Sequence, residues 1–292
     1  VARIFVLGDI NLDLQADLPA SFPIDGELRT NIEVQRGGAA ANFAVAAVRA
    51  GVIAELVGCV GNDIVGKFLE QSLIKAGVIT HLQHTYQPSG VLVSLRSNDV
   101  KTMLCSRGAN DMLKRSFIDP KWFVGIDHLH ISGYSILSKS QSSAAKHAIE
   151  IAQSKGIRVS IDPPPANLIA SFGAKRFLSS IKAAWCIFPN LAEAKVLTDN
   201  HDPQGMVSTL SAQFAVGALT MGSEGSIAWE ERERSFKKPE MVFDVDSTGA
   251  GDAFAAGFIV SYLADSNLEK ANQEGSEASL RLLLERSSAK RS

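Results

Sequence analysis

The most constraining feature of the chain is a repeated alternation of short apolar runs with stretches of helical periodicity. Ile4 to Leu7 is an apolar run stopped by Gly8, and Ala39 to Ala50 is an alanine-rich helix closed by Gly51. Ile53 to Val60 is the next strand, and Asn62 to Ala76 places Val65, Leu69, Leu73 and Ala76 on one helical face before Gly77. Further strands are expected at Asp127–Ile131, Arg158–Ile161, Ala184–Phe188, Val216–Thr220 and Met241–Val245. Helices starting near Gln141, Asn190, Gly251 and Leu268 lie between or after them. A strand fully apolar over four or five residues has both faces covered, and helices between such strands make parallel crossovers. An α/β fold around a mostly parallel sheet follows.

Two stretches break the rhythm, Leu12 to Gln35 and Thr85 to Arg107. Both are polar and rich in turn residues, and the second alternates Val91, Val93 and Leu95 with period two before Ser97-Asn98-Asp99. Neither fits a crossover helix. Together they read as a small β-structure mounted on the main sheet as a lid, spanning about 12–36 and 85–108. The 292 residues are then a single domain with this lid inserted, rather than two domains in succession.

Composition excludes several function classes. The chain is 46% hydrophobic and 21% charged, and 29 Lys plus Arg against 31 Asp plus Glu leave a net charge of −2. That balance makes no case for nucleic acid or an anionic membrane as partner. Cys59, Cys105 and Cys186 are far apart and form no CxxC pair. With a first apolar run too short for a signal peptide and no long apolar span, they point to a reducing cytoplasm.

The segment Asp246-Ser-Thr-Gly249-Ala250-Gly251-Asp252-Ala-Phe254 carries the strongest chemical signal. A strand ends before it and an apolar helix begins inside it, so its glycines let several backbone N–H groups converge at a helix N-terminus. Such a terminus binds anions. Asp252 in the first turn is either a general base beside that anion or an ordinary acid satisfying helix donors. Gly249-x-Gly251 lacks the final glycine of a dinucleotide fingerprint. Gly61 to Phe68 matches a P-loop except at Phe68, where Mg²⁺ binding needs Ser or Thr. Both motifs are rejected.

Asn190-Leu-Ala-Glu193 reads first as a capping box, which its spacing favours, and second as a carboxylate orienting hydrated Mg²⁺. Thr220-Met-Gly222-Ser-Glu-Gly225 is a glycine turn that either approaches a ligand or returns the chain into the strand Ser226–Trp229. Gly37-Gly38 precedes a helix whose first turns hold Asn42. Asn11 and Asp13 are either hydrogen-bonding partners of a substrate or turn residues. His128 and His130 alternate on one strand and read as packed rather than as metal ligands.

Taken together, these motifs resemble the PfkB family of carbohydrate kinases, with its ribokinase-like three-layer α/β/α fold. Gly37 to Gly66 is similar to the family's first signature. Asp246 to Phe254 is similar to the second, DTTGAGDAF, with Ser247 for one Thr. The other two motifs fall between them in order. The resemblance implies transfer of the γ-phosphoryl group of ATP, with Mg²⁺, to a sugar hydroxymethyl group. It implies Asp252 as base and the N–H groups of Gly249, Ala250 and Gly251 as anion hole. Asn11, Asp13, Gly38 and Asn42 would hold the sugar. Asn190 and Glu193 would organise metal and phosphates, and Thr220, Gly222 and Gly225 would line the nucleotide site. Some relatives bind a monovalent cation at the position of Asp246, which makes K⁺ the candidate activator. The lid would often form a homodimer interface. A nucleoside or pseudouridine kinase, or a sugar-binding pseudokinase, are the alternatives. Ala39, Ala40 and the run Ser132-Gly133-Tyr134 depart from ribokinases, and Gly275–Ala278 departs from the usual alanine-rich nucleotide-pocket helix.

Overall fold

The computed structural model describes residues 1–21, 25–97, 100–240 and 247–289. In chain order its elements are β1 (Arg3–Leu7), β2 (Asn11–Leu18), β3 (Ile32–Gly37), α1 (Ala39–Arg49), β4 (Ile53–Gly61), α2 (Ile64–Lys75), β5 (Ile79–Thr85), β6 (Gly90–Ser97) and β7 (Val100–Ser106). Then come β8 (His128–Ser132), α3 (Tyr134–Leu137), α4 (Lys139–Ser154), β9 (Arg158–Asp162), α5 (Ala166–Phe172), α6 (Ala174–Ser180), β10 (Cys186–Ile187), α7 (Leu191–Thr198) and α8 (Pro203–Ser211). The last are β11 (Val216–Thr220), β12 (Ser226–Glu230), β13 (Glu233–Lys237), α9 (Ala250–Asp265) and α10 (Leu268–Ala289).

Nine strands form one sheet in the order β13-β12-β11-β10-β9-β8-β1-β4-β5, parallel except for β12 and β13. β1 shows why both faces are covered. Ile4 and Val6 pack toward α1 and α9, whereas Phe5 and Leu7 join the opposite cluster with Ala144 and Ala148 of α4. Successive side chains of a strand point to opposite faces, so an unbroken apolar run needs a helical layer on each side. His128 and His130 are packed: both ring systems contact the Ser160 hydroxyl, at 2.7 and 2.9 Å, and His130 stacks on Phe43 at 3.6 Å.

A second sheet, β3-β2-β6-β7, is built from the two irregular stretches. Asn11 and Asp13 lie within β2, not in a turn. The strand expected over Ala184–Phe188 is only Cys186–Ile187. The strand expected at Met241–Val245 lies outside the described residues. β5 and β13 carry no continuous apolar run because each is an edge strand half-open to solvent. Among the described residues no helix is long and apolar enough to cross a membrane.

Asp63 ties the two sheets together. It caps α2 by accepting from the Gly66 N–H at 2.6 Å, and it also accepts from the Ser89 N–H and hydroxyl, both at 2.8 Å. Ser89 immediately precedes β6. The glycines of the rejected P-loop therefore lie at the junction of the two sheets, Gly61 donating to Ser89 and Gly66 to Asp63, with Lys67 exposed on α2.

Candidate active site

The C-terminal ends of β1, β9, β10 and β11 point to one edge of the large sheet, where α/β folds place their ligands. There a cavity of about 250 Å³ is lined by Asn11, Asp13, Asn42, Asp162, Glu193 and Asp252, among others. The second sheet closes it from above through Leu92, Met103 and Cys105. A larger cleft, about 490 Å³, adjoins it between the Gly222–Gly225 turn and α10. The two share Asn190, Thr220 and Gly251 as common wall.

Asp252 is buried in the first turn of α9 and does not cap it, since Gly249 is the N-cap and no side chain fills that role. Its Oδ2 instead accepts a 3.0 Å hydrogen bond from the Asn42 amide. Burial raises its pKa to about 6, against the opposing influence of Asn42 and of the nearby Arg286 and Arg36. Gly249 adopts φ 80°, a left-handed conformation that turns the chain into α9. Among the described residues nothing lies within 4 Å of a Cβ at Gly251, so the start of α9 is open to a ligand.

The capping box at α7 is formed in full. The Asn190 side chain accepts from the Glu193 N–H at 3.0 Å, while Glu193 accepts from the Asn190 N–H at 2.9 Å and its amide at 2.6 Å. Capping does not exhaust Glu193. Its carboxylate is buried against the cavity, and burial pushes its pKa up to about 8. Asn190 is also bridged to Thr220, which aligns the ends of β10 and β11 on the shared wall.

Asn11 is held by Asn110, whose amide donates to its Oδ1 at 2.8 Å. Asp13 is pushed to about 7 by burial, and its Oδ1 has no hydrogen-bond partner among the described residues. That orphaned acceptor faces a cavity, where a hydroxyl donor would satisfy it. Gly38, at φ 95°, lets α1 start against the Asp9 carbonyl, which a Cβ would approach to 2.3 Å.

All the candidate residues in the described segments therefore converge on this cavity or its neighbouring cleft, while Asp246 lies outside the described residues. Sequence reasoning passed over Asp162. This acid ends β9 inside the cavity, with its pKa well above the usual carboxylate range through burial and through the charges of Asp252 and Glu193. Its signal was an Asp at a strand end before Pro163-Pro164-Pro165. Also missed were Asp9 and its partners: Arg107 donates to it at 2.5 Å and Gln141 at 2.9 Å. These join residues about 100 and 132 positions apart, beyond the reach of any local pattern.

Comparison with known proteins decides the family. The description "pfkB family carbohydrate kinase" matches residues 1–289. The chain belongs to the PfkB family of carbohydrate kinases. Similar PfkB relatives include the ribokinase of Haemophilus influenzae, 28% identical over 94% of this chain and 89% of that one. The ATP-dependent ribose-1-phosphate kinase of Halopiger xanaduensis is 29% identical, covering 93% and 88%. Among solved structures, the adenosine kinase of Sinorhizobium meliloti superposes with a TM-score of 0.86 at 20% identity, over 97% and 94% of the two chains. A candidate ribokinase II from E. coli in complex with ATP and Mg²⁺ gives 0.86 at 21%, over 97% and 93%. These likenesses bear out the ribokinase-like fold, and the family match makes the chain a carbohydrate kinase.

Proposed function

We propose that this kinase transfers the γ-phosphoryl group of ATP to a hydroxymethyl group of a neutral sugar, with Asp252 as general base. The observation that carries this reading is the shared wall. Asp252 lines the small polar cavity in the first turn of α9, directly after Gly251, which that cavity shares with the larger cleft. An acceptor in the first and a nucleotide in the second would bring hydroxyl and phosphorus together at Gly251.

Asp252 takes the proton of the acceptor hydroxyl as its oxygen bonds to phosphorus and the bridge to the β-phosphate opens, leaving ADP. With a pKa near 6 it is ionised at neutral pH. The N–H groups of Gly249, Ala250 and Gly251 receive the charge developing on the transferred group, each such donor being worth about 3–4 kcal/mol in a transition state. Asn42 orients Asp252, while Asn11, Asp13 and Gly38 surround the acceptor. Thr220, Gly222 and Gly225 line the nucleotide cleft.

The buried carboxylates of Glu193 and Asp162 suit a hard divalent cation, because burial and mutual repulsion disfavour their ionisation until a positive charge arrives. Mg²⁺ there would neutralise phosphate charge. The second sheet serves as the lid: Lys101 of β7 donates to the Thr248 hydroxyl, next to the anion-hole loop. None of the described residues lining the acceptor cavity is Lys or Arg. That favours an uncharged polyhydroxy acceptor over a sugar acid or sugar phosphate.

The test is ATP consumption across a panel of sugars, sugar acids, sugar phosphates and nucleosides. Turnover with neutral sugars is expected. Turnover with a nucleoside alone redirects the reading to a nucleoside kinase, and sugar binding without any ATP consumption overturns it in favour of a sensor.

A further inference from the structure

Behind the partition formed by Asn42 and Gly249 lies a third cavity, about 490 Å³, between α1, α9 and α10. Its floor is apolar, with Val45, Ala253 and Leu282, and four arginines line it: Arg36, Arg49, Arg281 and Arg286. Among the described residues one carboxylate lines it with them, Glu285, which Arg49 engages at 2.9 Å. Arg281 reaches acids of its own helix only at 3.8 and 4.0 Å. Among its described lining residues cations therefore outnumber acids four to one, with Asp13 and Asp252 acting on Arg36 from the acceptor side. Arg36 shows the consequence, since burial and then the like charge of Arg49 lower its pKa.

The cavity also touches the catalytic machinery. Arg36 donates to the Asn42 Oδ1 at 3.3 Å, and the Asn42 amide donates to Asp252 at 3.0 Å. A negative group in the cavity would compete for Arg36 and release Asn42 to reorient against the base.

We propose that this cleft is a second, regulatory site that binds a small phosphorylated effector through Arg36, Arg49 and Arg281. Guanidinium groups present paired N–H donors matched to phosphate oxygens, and several of them on a walled cavity favour a compact multiply charged anion. The apolar floor accommodates the organic part of a phosphate monoester. The coupling to turnover rests on the kinase reading above; the binding site does not.

Calorimetric titration with inorganic phosphate and with glycerol 3-phosphate, at ionic strength matched with KCl, separates the two. Wild type is compared with the double variant Arg49→Gln/Arg281→Gln, whose anion hole is intact. Its far-UV spectrum and melting temperature without phosphate are expected to match wild type. The expected result is a Kd raised at least about ten-fold in the variant, since each charge-assisted contact is among the stronger hydrogen bonds. Tighter binding of the monoester identifies an organic phosphate as effector, and equal binding identifies free phosphate. Unchanged affinity in the variant assigns the phosphate to the anion hole and overturns the site. For coupling, turnover of wild type should respond to the anion, while the variant keeps the basal rate and ignores it. Binding to wild type with no change in turnover overturns the effector role.

Discussion

At the scale of single residues the chemistry rests on how burial tunes a few carboxylates. Asp252→Asn keeps the shape and its contact with Asn42 but removes the proton acceptor. It is expected to lower kcat by about 10²–10⁴, the usual worth of a positioned base, while sugar binding followed by calorimetry changes little. Near-normal turnover in this variant would sink the mechanism. The pH profile follows from the same residue. The base works when ionised, and its pKa is about 6, so kcat/KM should fall as pH drops through about 6. Removing the charge of Arg36, which lowers that pKa, should move the acid limb upward. A limb that stays put in Arg36→Gln, measured with saturating ATP, contradicts the assigned electrostatics.

At the scale of elements, Asp63 links the cap of α2 to the start of β6 by three hydrogen bonds. Asp63→Ala should cost about 1–3 kcal/mol by loss of the cap and of partners for Ser89. It should also raise KM for the acceptor more than for ATP, because β6 carries part of the acceptor cavity; denaturant unfolding and initial-rate kinetics read the two effects. What could be read in advance divides along the same line. Ile4–Leu7 and the alanine-rich α1 announce themselves because both faces of the sheet are buried and periodicity survives intact. β5 and β13 do not, because an edge strand mixes polar and apolar residues. The loop at Gly249–Asp252 was legible since all its parts are contiguous. Asp162, Arg107 and Gln141 were not, since their roles arise only when β9, α4 and the turn that follows β7 meet at the sheet edge. The dual use of Glu193 was also hidden: capping and facing the cavity share one residue, and spacing reports only the first.

At the scale of the whole molecule, gathering acids at one sheet edge has a thermodynamic cost that function offsets. Burial raises Asp13 to about 7 and Glu193 to about 8, whereas in the unfolded chain both titrate near 4. Between those values the native state binds more protons than the unfolded state. Stability therefore falls as pH rises through this window and levels off above the folded pKa values. Urea unfolding of the protein without ligands should accordingly show a higher midpoint at about pH 5 than at about pH 8. A ligand that binds only the native state adds stability in proportion to the logarithm of its saturation. Mg²⁺ with a non-hydrolysable ATP analogue supplies positive charge to ionised carboxylates, so its stabilisation should be larger at about pH 8 than at about pH 5. Equal stabilisation at both values would mean that Glu193 does not face the metal, and it would then be a helix cap and nothing more.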